Sequence, residues 1–193
     1  KSGAGGLEVS KSDLLGDLGD QLSAAKEQAA KDAFSFGVEY GGGDATPHAL
    51  GLALTADFYA ELGGGHEFDE LGRAERDFAL GLNAWGDAFV VGAGAASPRC
   101  LHHQIANLVG SLDGSGAILR GATVDGPGAP GDFEGLGRDD AMRRCPASGG
   151  DAFARFSTKH ARFLDASYAW PSVEPAIDYT ALTVLYFARH ADD

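Results

Sequence analysis

Two segments of this 193-residue sequence are apolar around nearly the whole circumference of a helix, which restricts the fold more than any other feature. They are residues 46–62 and residues 175–190. Thr46 is the expected N-cap of the first, because Pro47 suits the first helical position and three glycines at 63–65 end the apolar run. A helix that is apolar on every side has to be buried among other elements. We therefore expect both helices in the interior.

Two further segments have the pattern of amphipathic helices. Residues 11–31 carry leucines and alanines at helical spacing, and residues 67–82 are expected to point Phe68, Leu71, Phe78 and Leu82 inward and their charged residues, Glu75 among them, into water. Alternating outer-type and inner-type helices predict two concentric helical layers, although a plain multi-helix bundle would give the same pattern. Residues 83–174 are expected to form loops with short helices or strands, and such a stretch usually carries a site.

Charge and hydropathy exclude two classes of partner. The net charge is -13, with 15 Lys plus Arg against 28 Asp plus Glu, which argues against binding nucleic acid. No apolar stretch approaches the roughly 20 residues that cross a membrane. The two cysteines, Cys100 and Cys145, leave a disulfide and two free thiols equally open, and by themselves they cannot build a four-ligand zinc site.

A first candidate constellation precedes the last apolar helix. A glycosidase needs one carboxyl group kept protonated by an apolar setting and a second across the sugar ring. Glu174, expected at the buried start of that helix, fits the first role, and Asp165 could hold a neighbouring loop or shape the field around it. The simpler explanation is an acidic residue that complements a helix dipole. The pattern is Phe163-x-Asp165-x4-Trp170-x3-Glu174-x-Ala176-x3-Thr180-Ala181.

A second constellation ends in adjacent histidines. An apolar run, Phe89-Val90-Val91, enters a glycine-containing turn and leads through Pro98-Arg99-Cys100-Leu101 to His102 and His103. Imidazole nitrogens can form hydrogen bonds with sugar hydroxyls. Adjacent side chains point in different directions, so one histidine is enough to face a site. A surface or packing pair would have the same sequence.

Together these stretches resemble the two signatures of the family 9 glycoside hydrolases, in the order that the family has them. The histidine signature usually reads Gly-x-x-x-x-Pro-x-x-Pro-His-His-Arg, and the other is the family's Asp/Glu signature. The neighbouring sequence agrees as well, through Leu80-Gly81-Leu82-Asn83 before the histidines, and Leu119-Arg120-Gly121-Ala122 and Met142-Arg143-x-Cys145-Pro146 after them. The likeness spans about residues 34 to 188.

The resemblance implies an all-α fold, the C-terminal part of an (α/α)6 barrel with long irregular loops, and places residues 1–193 within a single catalytic domain. It implies hydrolysis of β-1,4-glucans such as cellulose with inversion, by an extracellular or periplasmic enzyme. Glu174 would be the general acid and Asp165 the accessory acidic residue at the catalytic site. His102 would bind substrate with His103 beside it. Trp170, Tyr168 and Trp85 are candidate sugar-stacking platforms, with core packing as the alternative for each.

The sequence departs from the family pattern in several places. Gln104 stands where an Arg is usual, Thr180 where Asn is common, and Gly41-Gly42-Gly43-Asp44 where many members have a Trp-Gly-Ser-Asn-like stretch. The family's catalytic base comes from an Asp-x-x-Asp motif in the N-terminal half of the barrel. Asp17 and Asp20 have that spacing but fall on an amphipathic helix too far along the chain. We therefore expect this chain alone to be incomplete and its partner to be the N-terminal half of the barrel.

Other functions fit parts of the pattern. An exo-β-glucosidase or glucosaminidase of the same family would carry the same signatures, and a non-catalytic carbohydrate-binding or scaffold protein would explain the missing base. A helical bundle without sugar chemistry would require both signatures to be coincidence. No cofactor is expected to be required and no metal site is assigned. A structural Ca²⁺ is compatible with the acidic residues of the 125–140 loop, which are Asp125, Asp132, Glu134, Asp139 and Asp140.

Overall fold

The computed structural model describes residues 9–107, 119–137 and 142–191. Within those ranges the regular elements are all helices, with isolated β-bridges and no strand. The helices are α1 (Lys11–Ala29), α2 (Ala45–Glu61), α3 (Asp69–Ala79), α4 (Gln104–Asn107), α5 (Trp170–Val173) and α6 (Ile177–Arg189), with 3₁₀ turns at Pro130–Phe133 and Ala154–Phe156. The four long helices are those predicted, and the chain between α3 and α6 is mainly irregular, as expected.

Helix α2 is the central element, because α1, α3 and α6 all pack against it. It is buried along most of its length, as its apolar circumference predicted. The prediction that Thr46 caps it is wrong. Asp44 is the N-cap, in a left-handed conformation with φ 56° and without a side-chain capping bond. Instead, the Thr46 N–H donates to the Asp125 carbonyl at 2.8 Å, so tertiary structure satisfies a helix-terminal N–H that a local cap would otherwise take.

Helix α1 begins with a capping box, in which the Ser10 side chain accepts from the Asp13 N–H and the Asp13 carboxylate accepts from the Ser10 N–H. Only its later turns are buried: Leu22, Ala25 and Ala29 pack in one cluster with residues of α2 and α3. Leu14, in the first turns, is 47 % exposed. Helix α1 therefore forms an outer layer over α2 and α3 along part of its length.

Helix α3 follows the predicted pattern at three of four inward positions. Phe68, Leu71 and Phe78 are buried, but Leu82 is 64 % exposed because the helix ends at Ala79 and its periodicity does not continue. The larger correction concerns Glu75, which was expected in water and is fully buried. Its Oε1 accepts a 2.5 Å hydrogen bond from the Gly37 N–H, so the carboxyl group faces the loop after α1.

Helix α6 is not buried all round, contrary to the prediction. Thr183 and Tyr186 are buried: Tyr186 packs against residues of α2, and the Thr183 hydroxyl forms a hydrogen bond with that of Thr123. Ile177, Val184 and Leu185 are 91 %, 62 % and 44 % exposed. The described residues cover only one side of this helix, so its apolar circumference exceeds what they bury. No helix in the described ranges is long and apolar enough to span a membrane.

An aromatic cluster lies beneath the irregular segments. The Phe36 and Phe78 rings stack with their centroids 3.9 Å apart, and Phe89 and Phe163 meet at 5.0 Å. Trp85 is 5 % exposed and packs within this cluster, so it serves the core and does not present a ring face to a ligand. Residues of the 89–91 and 163–169 segments pack within this cluster.

Candidate active site

The candidate site lies where the start of α2 meets the turn at 123–126 and the segment before α6. The Asp125 N–H donates to the Glu174 carbonyl at 3.3 Å, and the Gly126 N–H donates to the Ser172 carbonyl at 3.0 Å. Gly126 has φ +88°, and a Cβ there would collide with the Thr46 side chain. Glycine therefore lets this turn approach α2 closely. These backbone bonds fix the position of Glu174 relative to α2.

Glu174 lies in an extended link between α5 and α6, with φ -81° and ψ 119°. Its side chain is exposed. The expectation of a buried acid at a helix start is therefore wrong for the described residues, because α6 begins only at Ile177 and its outer side is uncovered. The link position also removes the helix-dipole explanation for an acidic residue here, since Glu174 is not in a first turn.

Two hydrogen bonds hold His102 to the segment that leads into this link. Its backbone N–H donates to the Val173 carbonyl at 3.0 Å, and its Nδ1 lies 2.8 Å from the Ser167 carbonyl oxygen. A carbonyl oxygen only accepts, so Nδ1 carries the hydrogen and the neutral ring has its lone pair on Nε2. The half-buried ring therefore has an acceptor nitrogen suited to a sugar hydroxyl. His102 is bonded to Val173, the residue immediately before Glu174.

The other predicted binding residues differ in their exposure. His103 is half-buried, and its Nδ1 has no hydrogen-bond partner among the described residues. Trp170 opens α5 and is 48 % exposed. Tyr168 is half-buried and lines a hollow of about 320 Å³ together with Cys145. The Trp170 ring is therefore open to stacking, whereas Tyr168 forms part of the lining of the hollow beside Cys145.

Asp165 holds the loop that leads to His102. Its carboxylate accepts the backbone N–H groups of Arg99, at 3.0 and 3.2 Å, and Cys100, at 2.8 Å. Burial raises the pKa of Asp165, although these hydrogen bonds and the Arg99 charge oppose the rise. The nearby Asp87 is 3 % exposed, and burial followed by the Asp165 charge raises the pKa of Asp87 to about 7. The hydrogen-bond partners of Asp165 are therefore backbone groups of the loop before His102.

Cys100 and Cys145 form a disulfide, with Cα atoms 5.2 Å apart. This answers a question that the sequence left open. The Ser167 N–H donates to the Cys145 carbonyl at 2.9 Å, and the Ser167 carbonyl is the one that accepts from His102. The disulfide and Ser167 thus join the 145 loop to the histidine loop.

Three residues at the site were missed as a group by the sequence analysis: Asp44, Asp125 and Tyr179. The Tyr179 hydroxyl lies 2.6 Å from Asp44 Oδ1 and 3.2 Å from Asp125 Oδ1. Asp125 is 6 % exposed, and its burial, followed by the proximity of Asp44, raises the pKa of Asp125 to about 8. The available signals were weak, since an aspartate before a helix and an Asp-Gly turn usually have local explanations.

The described part of the chain contains no group of three or more His, Cys, Asp or Glu side chains arranged to hold a metal ion. Two of the acidic residues considered for calcium, Asp139 and Asp140, lie outside the described residues. The structural Ca²⁺ stays a prediction.

Comparison with known proteins gives one family. The sequence profile described as glycosyl hydrolase family 9 matches residues 18–187. A search of curated protein sequences found no relative of the chain.

Similar solved structures agree with that match. The family 9 endoglucanase J30 is 23 % identical with a TM-score of 0.68, over 94 % of this chain and 31 % of that one. A metagenome-derived family 9 endoglucanase is 19 % identical with a TM-score of 0.68, over 98 % and 31 %. A single-mutant thermostable endoglucanase from Alicyclobacillus acidocaldarius is 18 % identical with a TM-score of 0.65, over 95 % and 31 %. The chain therefore shares their fold and spans about a third of their length.

Proposed function

This chain belongs to glycosyl hydrolase family 9 and has the fold of part of an (α/α)6 barrel, and on that premise we propose that it contributes the general acid of an inverting β-1,4-glucan hydrolase. Glu174 is the acid. The observation that carries this proposal is the fixed position of an exposed Glu174 beside His102, in a link whose two flanking backbone carbonyls are both bonded. The Val173 carbonyl accepts from His102 and the Glu174 carbonyl accepts from Asp125.

This arrangement suits proton donation to a glycosidic oxygen. Glu174 is accessible to a substrate chain, and His102 presents an acceptor nitrogen to a neighbouring sugar hydroxyl. Fixing both groups on one backbone frame lowers the cost of aligning them with a bound sugar. Trp170, which lies four residues before the acid in the sequence, would stack on a pyranose ring. Asp165 acts as a positioning residue for the histidine loop.

The general base is proposed to come from a further segment. Inversion needs a second carboxylate about 6.5–9.5 Å from the acid, with room for a water molecule between them. Asp125 is buried and bonded to Tyr179, which makes it a poor base, and Asp17 and Asp20 are exposed on α1. We therefore propose that the remainder of the barrel supplies the base. The complete catalytic domain that contains this chain is called the parent domain below.

Cellulose or a related β-1,4-glucan is the proposed substrate, because the structural neighbours are endoglucanases. The proposed location is extracellular or periplasmic. The Cys100–Cys145 disulfide supports it, because disulfides persist mainly in oxidising compartments.

A non-catalytic carbohydrate-binding protein is the second candidate. Gln104, at the start of α4, is exposed and carries no charge where the family usually has Arg. A fixed cation that could clamp substrate is therefore lacking at that position. Such a protein would bind glucan without cleaving it.

The test compares the parent domain with its Glu174→Gln variant and with Glu27→Gln, an exposed control on α1. Release of reducing ends from a soluble β-1,4-glucan should fall about 10²- to 10⁴-fold in the first variant and stay unchanged in the control. The loss should be much smaller on an aryl glucoside whose phenol leaves without protonation. Equal activity of Glu174→Gln and the unmodified domain on glucan would refute the assignment.

Two further readouts separate the candidates. Titration calorimetry with a cello-oligosaccharide should show that Glu174→Gln still binds. A parent domain that binds the oligosaccharide but releases no reducing ends would instead be the binding protein. The product lengths distinguish an endo-acting enzyme from an exo-acting glucosidase or glucosaminidase.

A further inference from the structure

Two aspartates and one tyrosine form a hydrogen-bonded group beside the Glu174 link. Tyr179, in α6, has its hydroxyl 2.6 Å from Asp44 Oδ1 and 3.2 Å from Asp125 Oδ1. Asp44 precedes α2, and Asp125 occupies the turn that is bonded to both α2 and the Glu174 link.

Counting hydrogens at the Tyr179 hydroxyl shows that the group is short of one donor. A hydroxyl has a single hydrogen, and the 2.6 Å contact with Asp44 is the shorter, so that hydrogen points to Asp44. The hydroxyl oxygen can then only accept at its second contact. An ionised Asp125 would place a carboxylate oxygen against that lone pair, whereas a protonated Asp125 would donate to it.

The surroundings of the two carboxyl groups assign the proton to Asp125. Asp44 is the N-cap of α2, where the helix dipole favours a carboxylate. Asp125 is 6 % exposed, and its Oδ2 has no hydrogen-bond partner in the described residues. Burial raises the pKa of Asp125 to about 8, with Asp44 as the next cause. Leaving one buried oxygen unbonded costs less in a neutral acid than in a carboxylate.

The other charged groups nearby are mostly acidic. Glu174 faces Asp125 from the link and adds to the repulsion that disfavours its ionised form. Glu39 and Asp178 line the same cavity of about 600 Å³ as Asp44, and so does the imidazole of His48, one turn into α2. A second full negative charge on this pair would therefore meet further negative charge.

We propose that Asp44 and Asp125 hold one proton between them through Tyr179, and that this pair is a positioning unit for the Glu174 link. The Asp125 backbone donates to the Glu174 carbonyl and accepts from the Thr46 N–H. While the proton is shared, the group draws the 123–126 turn, α2 and α6 together. Loss of the proton leaves two carboxylates that repel each other, and the turn that anchors Glu174 loosens. The role in catalysis rests on the proposed function, whereas the shared proton does not.

The shared proton is tested by ¹³C NMR of the parent domain labelled at aspartate side-chain carboxyl carbons. Besides Asp87, whose pKa burial raises to about 7, the unmodified domain should contain one further aspartate that stays protonated at neutral pH, far above the ordinary aspartate pKa of about 3.9. That signal should be absent in Asp125→Asn and should titrate at least about one pH unit lower in Asp44→Asn, which removes the like charge. Asp20→Asn, an exposed control on α1, should leave it unchanged. Absence of the signal from the unmodified domain, or its loss in Asp20→Asn, overturns the proposal.

The positioning role is tested by the pH profile of hydrolysis. In the unmodified domain kcat should fall as pH rises through the titration that NMR reports, with KM changing less. In Asp44→Asn the fall should weaken or disappear, because ionised Asp125 then has no carboxylate opposite it. Asp20→Asn should keep the original profile. An identical alkaline limb in Asp44→Asn and the unmodified domain contradicts the positioning role.

Failure of the two proposals can be told apart. A parent domain that releases no reducing ends contradicts the proposed function, and the NMR titration still decides whether the proton is shared. A folded Asp125→Asn variant that loses hydrolysis by orders of magnitude at every pH would show that Asp125 takes part directly in the chemistry, which overturns its role as a positioning residue.

Discussion

The Asp165 carboxylate accepts a 2.8 Å hydrogen bond from the Cys100 N–H, 65 positions earlier in the chain. The same carboxylate accepts from the Arg99 N–H. Two residues after Cys100 the chain reaches His102, whose ring and backbone are bonded to Ser167 and Val173. The two signature segments are thus joined directly, and the acidic residue of one positions the histidine of the other.

Removing the Asp165 carboxylate should weaken substrate binding more than the chemical step. Asp165→Ala leaves two N–H groups of the Arg99–Cys100 loop without their acceptor, at a cost of about 1–3 kcal/mol for each that is not rehydrated. KM for a soluble β-1,4-glucan should rise because His102 is no longer held. Asp165→Asn keeps one acceptor oxygen and should recover much of the effect. Equal KM values for the alanine variant and the unmodified parent domain would contradict this role.

Breaking the Cys100–Cys145 disulfide should lower stability and loosen the same loop. The bond closes a sequence separation of 45 residues, for which loop-closure entropy gives about 4 kcal/mol. A parent domain with both Cys100→Ser and Cys145→Ser should unfold at lower denaturant concentration and show a higher KM. Reductant should have no further effect at this site in the double variant. A double variant as stable as the oxidised domain would rule out this contribution.

Replacing Glu75 by Gln should stabilise the protein, and increasingly so as pH rises from about 4.5 to 8. Burial raises the Glu75 pKa from 4.5 to about 8, against the hydrogen bond from Gly37 and with a smaller contribution from the Asp32 charge. The folded state therefore binds a proton that the unfolded state releases in this window, so the unmodified protein loses stability as pH rises through it. Glutamine keeps the acceptor for Gly37 and has no charge to bury.

Denaturant unfolding of the parent domain at several pH values measures this difference. The gap in free energy of unfolding between Glu75→Gln and the unmodified domain should widen to at most about 5 kcal/mol and become constant above pH 8. Glu27→Gln, at an exposed site on α1, serves as the control. A gap that does not change with pH would mean that Glu75 is ionised in the folded protein.

The outer face of α6 should make the isolated chain self-associate. Ile177, Val184 and Leu185 are 91 %, 62 % and 44 % exposed in this chain. Sedimentation of the isolated chain should show association that decreases when Val184→Glu and Leu185→Lys are combined. An α1 control, Ser23→Glu with Ser12→Lys, should not change it. In the parent domain the α6 pair should instead be destabilising, because we propose that the remainder of the barrel covers this face.

Helical periodicity predicted the long helices well, and the reason is local. Hydrophobic spacing and stop signals such as the glycines at 63–65 act within a few turns, so the sequence placed α1, α2, α3 and α6 to within a few residues. The Thr46 cap failed because a carbonyl 79 residues away, that of Asp125, satisfies the helix N–H instead. Glu75 failed because its burial depends on how α3 faces the Gly37 loop, which its charged neighbours in sequence do not reveal.

The sequence by itself determined the helical architecture, the family signatures and the identity of Glu174 and His102 as candidates, because each depends on residue types at short spacings. Only the tertiary structure decided that the cysteines pair, that Asp165 bonds the histidine loop, and that Asp44, Asp125 and Tyr179 meet. Those contacts join residues 45 to 135 positions apart. Hydrogen bonds and burial act through space over a few ångströms, so residues that are far apart in sequence acquire a shared proton or a shared loop only when the helices have packed.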